Sequence, residues 1–549
     1  MDNLVPTDIE ETAFDLIVIG AGINGAGIAR DAAMRGLRVL LLDKGDIAGG
    51  TTSWSTRLIH GGLRYLEYGE IGLVRESLRE RQRLFHIAPH LVRPLAMMIP
   101  IYREQRRGPL LIRAGMIAYD LLSLDKSLDH HHMLSRAETL QRVPALKPEG
   151  LLGASLYYDA QVEYAERLVV ENALAARDCG ATIQTYAQVE RFIVEDQQVR
   201  GVEFTDLLRG GRHRVRASVT VNVSGPWVDN VLAALAPPLA RLIGGTKGSH
   251  LIVDAFDGAP REALYVEAQE DGRPFFIIPW NGMYLIGTTD SRYDGDLDHI
   301  AADENEIDYL IRETNRVIPA ARLTRRSVLY TYSGVRPLAY EEGQVGGSIT
   351  RRHFVHDHAD KLGGFLSIVG GKLTTYRNLS EQAVDMVFKK LGRTAPQCET
   401  GHVPLPGAMT DNFTEFAEHF KASSRLPAAT AERLLRVYGT RATNVLELAA
   451  EGADLLEIFS PETGAIGAEI LMSFQHEMAQ TLCDCLLRRT MVGLNRALGL
   501  DALEHAARIA CKYLDWSSDK AEHEVTAYRK YIERFHPRNL TVEKPSDFQ

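Results

Sequence analysis

The stretch that most narrows what this chain can become is residues 14–43, FDLIVIGAGINGAGIARDAAMRGLRVLLLD. Its two apolar runs read as strands buried on both faces of a parallel sheet, and the segment between them carries small residues at helical spacing. Parallel neighbours need a crossover helix, so the stretch is a strand, helix, strand unit of an α/β fold. Gly20, Gly22 and Gly25 complete G-x-G-x-x-G at the first strand–helix junction, and Asp43 closes the second strand roughly 20 residues on, where an acid meets an adenosine ribose. The glycines admit a pyrophosphate to the helix N-terminus, whose unpaired N–H groups and dipole bind anions. The unit therefore predicts a dinucleotide site without separating NAD from FAD.

The segment after Asp43 favours FAD. A plain second βα unit is absent there; instead comes KGDIAGGTTSWSTRLIHGG, small and hydroxylated, a chain built to approach something closely. Ser53, Ser55, Thr56 and Arg57 offer donors along a ribityl chain and flavin ring. Farther along the chain, VNVSGPW (221–227) ends a buried strand in a turn at Ser224 and Gly225, and SIVGGKLTTYR (367–377) reads as a strand, the glycine pair Gly370 and Gly371, then a helix start. A helix N-terminus there, with Lys372 beside it, would support the negative charge that a reduced flavin gathers near N1 and C2.

Strands are expected over 183–204, 214–223, 250–254, 275–287 and 364–369, and helices over 162–178, 304–317 and 372–391. A linker texture begins near residue 394, and helical patterns with almost no strand signal come after it. The expected organisation is an FAD-binding Rossmann-like α/β region over 14–400, with cofactor segments at about 14–100, 155–245 and 345–393. A β-rich substrate domain at about 246–344 is inserted, and an all-helical C-terminal cap covers 405–549.

A formal charge of −10 disfavours generic nucleic-acid binding. Five scattered cysteines suit a reducing compartment, and the acidic N-terminus does not resemble a secretory or transit signal, so a cytoplasmic protein is expected. No run of about 18 uncharged apolar residues occurs. The basic YREQRRG (102–108) followed by the amphipathic PLLIRAGMIAYDLLSL (109–124) could rest on a membrane surface or pack on the protein's own core. Asp294, Asp296 and Asp298 alternate, but His299 and Asn305 stand where a calcium loop needs glycine and glutamate, and His130, His131 and His132 diverge, so no metal is expected.

The series DLIVIGAGINGAGIARDAAMRG, RLIHGGLRYLE, SGPW, KGSH, IPW, IGTTD, YSGVRPL, ITR and GGKLTTYR, in that order, resembles the FAD-dependent glycerol-3-phosphate dehydrogenases of respiratory chains over about residues 14–400. Two positions depart from that family: Asp43 stands where it often has Glu, and Arg57 where it often has Lys. The resemblance implies oxidation of sn-glycerol 3-phosphate to dihydroxyacetone phosphate, with hydride passing from C2 to flavin N5 and electrons passing on to a membrane quinone. It also implies attachment to the inner face of the cytoplasmic membrane. It places Arg64, Tyr65, His250, Arg336 and Arg351 around the substrate. It places Asn24, His60, Gly61, Gly62, Leu373 and Thr374 around FAD, together with the fingerprint glycines and the loop hydroxyls. Arginine forks suit a phosphate, whereas arginine itself is too basic to accept the C2 hydroxyl proton. His250 is the first choice of base and His60 the second, with Arg336 and Lys372 as charged partners in catalysis. An oxygen-using oxidase, a dehydrogenase of a longer polyol phosphate such as erythritol phosphate, and a non-catalytic nucleotide-binding protein are the alternatives. A homodimer is left open.

Overall fold

The computed structural model describes residues 9–67, 69–105, 107–123, 128–235, 239–341 and 352–536. Its first sheet is built as the glycine-turn stretch requires. Ala13–Ile19 lies parallel between Val39–Leu42 and Arg212–Asn222, and Thr182–Gln184 and Phe365–Val369 extend the parallel row on either side. The hairpin Ala187–Glu195 with Gln198–Asp206 continues the sheet antiparallel from Arg212–Asn222. Helices Ile23–Met34, Ala165–Asp178 and Tyr376–Lys390 bury their apolar sides in one core with this sheet. Small residues set the close approach: a Cβ at Gly25 would lie 1.7 Å from the Gly20 carbonyl oxygen, so any side chain there would push the first helix off its strand.

The second sheet has ten strands among the described residues and holds a correction to the expected organisation. Thr246–Val253, Ala263–Glu267, Pro274–Trp280, Met283–Gly287 and Val328–Arg336 belong to it, as expected for a β-rich substrate region. So do Leu58–Ile59, Val92–Tyr102, His132–Ser135 and Leu151–Val162, which fall partly inside the expected cofactor segments 14–100 and 155–245. Val92–Tyr102 pairs along Leu151–Val162 on one edge and reaches Ala263 and Leu264 through Met97 and Met98 on the other. The chain thus leaves the first sheet after Leu42 and gives it its next strand at Thr182–Gln184.

The C-terminal part is helical, with one short hairpin, Ile458–Ser460 with Ala465–Ile466, as a small exception to the all-helical expectation. Buried charges fasten it to the rest. Consecutive Arg488 and Arg489, in the π-helical turn Cys485–Arg489, both donate to Asp46 at 2.6–2.9 Å. Arg167 makes a two-pronged pair with Glu477 at 2.5 and 2.7 Å. Removing one partner of such a buried pair leaves an uncompensated charge, so these contacts fix how the C-terminal part sits. No described helix is long and apolar enough to cross a membrane.

Candidate active site

The two sheets and the C-terminal helices enclose a cavity of about 780 Å³. On the first-sheet side, Gly20, Gly22 and Asn24 line it at the glycine turn, with Asp43 next to them. The Asp43 carboxylate accepts the Ala21 N–H at 2.6 Å and the Gly45 N–H at 2.8 Å, so it ties the turn to the end of the second strand. Burial pushes its carboxyl above the ordinary aspartate value. Gly25 does not line the cavity; its place is at the close contact between the first helix and its strand.

The hydroxylated loop divides between lining and support. Ser55, Thr56 and Trp54 line the cavity, and Ser224 and Gly225 face it from the end of Arg212–Asn222. Ser53 is not among the lining residues: its buried hydroxyl donates to the Ala48 carbonyl at 2.6 Å and closes the loop on itself. Arg57 is among the lining residues. Its fully buried guanidinium makes two 2.7 Å bonds to Glu166, donates to the Ser53 carbonyl at 3.0 Å and lies over the Trp280 ring. Its two terminal nitrogens are bonded within the protein and brace the loop, while Nε is buried without a hydrogen-bond partner among the described residues. Gly61 and Gly62 likewise serve packing, the first against Tyr119 and Leu78 and the second against the Tyr65 ring.

From the second sheet come His250, Tyr332 and Arg336, on neighbouring antiparallel strands. The His250 ring lies 4.8 Å from that of Tyr332, and its Nε2 is 2.9 Å from Thr56 Oγ1. Its Nδ1 is buried without a hydrogen-bond partner among the described residues. Burial holds the imidazole well below its ordinary pKa, and the Arg336 and Arg57 charges act the same way, so the ring is neutral at neutral pH. Arg336, about a quarter exposed, donates to Asp290 at 3.0 Å, Thr288 Oγ1 at 3.1 Å and the Thr289 carbonyl at 3.2 Å.

The cavity is closed at this end by Gly370, Gly371, Lys372, Leu373 and Thr374. Lys372 Nζ stands 3.7 Å from the centre of the Tyr65 ring, and the His60 N–H donates to Thr374 Oγ1 at 3.2 Å. Burial lowers the His60 pKa; Asp159 opposes this, and Lys372 and Arg81 add to it. The expected helix start is displaced, because the helix begins only at Tyr376. Gly370 and Gly371 are left-handed, at φ +80° and +112°, and residues 372–375 form a turn before the first helical residue. Lys372 therefore brings its own charge without a helix N-terminus under it. The Arg64 backbone opens the short helix Arg64–Glu67, while its side chain and all of Arg351 lie outside the described residues.

Residues 15–377 match the FAD dependent oxidoreductase family, and residues 398–521 match the C-terminal domain of alpha-glycerophosphate oxidase. The glycerol-3-phosphate dehydrogenase of Synechocystis sp. is 48% identical over 539 residues, covering 96% of this chain and 98% of that one. This chain belongs to the FAD-dependent glycerol-3-phosphate dehydrogenase family. Within it, the aerobic glycerol-3-phosphate dehydrogenase of Staphylococcus aureus is 33% identical over 547 residues, covering 96% of this chain and 95% of its own. The crystal structure of the glycerol-3-phosphate dehydrogenase from Bacillus halodurans complexed with FAD superposes with a TM-score of 0.80 at 29% identity, covering 98% of each chain.

The cofactor is FAD, and the residues present suit it. A Cβ at Gly371 would lie 2.3 Å from Asn24 Nδ2, so only glycine leaves the cavity floor open between these two segments. Several lining residues were not legible as site residues. Trp54 bridges Tyr332 and Phe535, with ring centres 5.8 and 5.1 Å away, and Tyr531 and Phe535 line the same cavity from the C-terminal helices. A lone aromatic carries no local motif that would have marked it.

Proposed function

We propose that this chain oxidises sn-glycerol 3-phosphate to dihydroxyacetone phosphate and hands the electrons to a membrane quinone. FAD, when bound, would supply the two-electron acceptor for the C2 hydride. One observation carries the reading: Arg336, the neutral His250 and the Lys372–Tyr65 pair line the same cavity as the glycine turn. A phosphorylated secondary alcohol needs a fixed cation for the phosphate, and Arg336 has that charge held by Thr288, Thr289 and Asp290. Arg64, Tyr65 and Arg351 are assigned to the same grip. His250 takes the C2 hydroxyl proton, since its ring is neutral and its Nδ1 has no hydrogen-bond partner among the described residues; His60 is the second choice. Thr56 orients the His250 ring through its Nε2 contact. Lys372 places positive charge where negative charge develops on reduction. Gly20, Gly22, Asn24 and Asp43 hold the dinucleotide end, and Ser55, Thr56, Ser224, Gly225 and the 370–374 turn surround the rest.

The quinone reading calls for a bilayer surface, and the helix Pro109–Leu121 supports one. Ile112, Met116 and Tyr119 are buried against the second sheet, while Leu110, Ile117 and Leu121 form a second apolar stripe at helical spacing in solvent. Leu110 is 83% and Leu121 60% exposed, with Arg113 exposed on the same helix one turn from Leu110. An apolar stripe with a basic neighbour fits the interface of an anionic membrane.

The test is turnover of glycerol 3-phosphate by the FAD-loaded protein with a soluble quinone analogue or with oxygen as acceptor. Quinone-linked oxidation gives dihydroxyacetone phosphate in step with quinone reduction and little peroxide. Peroxide matching product without quinone would make the protein an oxidase, and faster turnover of a four-carbon polyol phosphate would change the substrate.

A further inference from the structure

We propose that Glu306, on the far side of the second sheet from the cavity, is a positioning residue for Arg336, acting through Thr289. The inference rests on the reading that Arg336 grips the substrate phosphate.

Strands Thr246–Val253 and Val328–Arg336 run antiparallel with Thr246 opposite Arg336, Ser249 opposite Ser333 and His250 opposite Tyr332. Side chains alternate between the faces of a strand. Thr246, His250, Tyr332 and Arg336 therefore share the cavity face, and Lys247, Ser249 and Ser333 share the other. Helix Glu304–Val317 covers that second face, and its Glu306 is buried there.

Glu306 is the hub of a closed polar network behind the sheet. Its carboxylate accepts the Ser249 hydroxyl at 2.8 Å, the Asp303 N–H at 3.1 Å and the Thr289 hydroxyl at 2.6 Å, and pairs with Lys247 Nζ at 2.9 Å. The hydroxyl of Thr289 also accepts the Ser249 N–H at 2.9 Å. On the cavity side, the segment Thr288–Thr289–Asp290 supplies three acceptors to Arg336, a hydroxyl, a carbonyl and a carboxylate, beside a longer contact to Thr246 Oγ1 at 3.5 Å. Thr289 is thus bonded on both sides, its hydroxyl to Glu306 behind and its carbonyl to Arg336 in front. The segment lies just past the end of strand Met283–Gly287, where the Thr289 N–H reaches the Ser249 carbonyl only at 3.4 Å, so the 2.6 Å hydroxyl bond to Glu306 is its shorter tie to the sheet. A cation recognising phosphate through oriented N–H groups loses affinity when its own acceptors drift.

The experiment uses FAD-loaded protein and two readouts: the Kd of inorganic phosphate by calorimetry, and anaerobic flavin reduction by glycerol 3-phosphate, separated into an apparent Kd and a limiting rate. Thr289→Val is the primary variant, because it keeps shape and removes only the hydroxyl. Glu306→Gln also unbalances Lys247 and Asp303 and serves as a second variant. Thr289→Val is expected to weaken both phosphate binding and the apparent substrate Kd about 10-fold, the size of one oriented hydrogen bond. The limiting rate is expected to stay within about 2-fold, since a displaced grip changes binding more than the step itself. Thr289→Ser, which keeps the hydroxyl, is expected to behave as the parent protein. If Thr289→Val binds phosphate as the parent does while Arg336→Ala loses it, the positioning role is wrong and the phosphate grip stands. If Arg336→Ala also binds phosphate unchanged, the grip itself fails and takes this inference with it.

Discussion

Arg57 and Glu166 form a pair whose disruption has a calculable outcome. The guanidinium is fully buried, the carboxylate 1% exposed, and the two meet through two bonds of 2.7 Å. The guanidinium also donates to the Ser53 carbonyl at 3.0 Å and the Glu163 carbonyl at 3.3 Å, so the pair joins the cavity-lining loop to the start of helix Ala165–Asp178. Breaking one side of a buried pair costs about 3–5 kcal/mol, because the remaining charge is left in a dry site. Glu166→Gln keeps one carbonyl acceptor and turns the other oxygen into a donor that faces arginine N–H groups, which places it at the lower end, about 3 kcal/mol. That is roughly a 150-fold shift toward a loop detached from its anchor. Since Trp54, Ser55 and Thr56 on this loop line the cavity, FAD affinity is expected to fall by up to the same factor. Equilibrium dialysis against FAD, with the rate of thermal inactivation alongside, reads both effects. Arg57→Lys keeps the charge but makes one bond instead of two and should lose less. A Glu166→Gln protein that holds FAD as tightly and inactivates no faster than its parent would refute the bracing role.

Arg336→Ala should lower kcat/KM for glycerol 3-phosphate by about 1.5–3 kcal/mol, the range of charged hydrogen bonds, with most of the loss in substrate binding; unchanged kinetics would remove Arg336 from the site. His250 is held neutral by burial and by Arg336 and Arg57. Its folded pKa lies below the unfolded value of about 6.5, so the stability it contributes is complete above that pH and declines as pH falls below it. The flavin-reduction rate should accordingly show no histidine titration between about pH 6 and 8; an inflection near 6.5 that His250→Asn removes would contradict the assignment. Leu110→Glu combined with Leu121→Glu should abolish flotation with anionic vesicles while leaving turnover with a soluble acceptor intact; undiminished flotation would move the membrane surface elsewhere.

The parts of the fold legible in the sequence are those set by local pattern. Residues 14–43 specified their own strands, helix and turn, and the capping box of Asp303 and Glu306 begins helix Glu304–Val317 where the periodicity placed it. Left-handed glycines delayed the helix expected from residue 372, a conformational cost that apolar periodicity does not register. Membership of Val92–Tyr102 in the second sheet was hidden, because its partners lie about 60 and 165 residues away. The site divides the same way. His250, Arg336 and Lys372 stood in recognisable motifs and line one cavity. Arg57 stood in a motif too, yet its role depends on Glu166, more than 100 residues on. Thr289 stood in the IGTTD motif and Glu306 in a capping box, yet their link to Arg336 was hidden, since it arises only when a helix covers the back of a strand.

The most direct measurement is anaerobic mixing of the FAD-loaded protein with glycerol 3-phosphate while the flavin absorbance is monitored. Hydride transfer at this site predicts loss of the oxidised band at a rate that saturates with substrate and yields one dihydroxyacetone phosphate per flavin, with glycerol itself far less effective. A flavin that stays oxidised with saturating glycerol 3-phosphate, in protein shown to hold its cofactor, would contradict it.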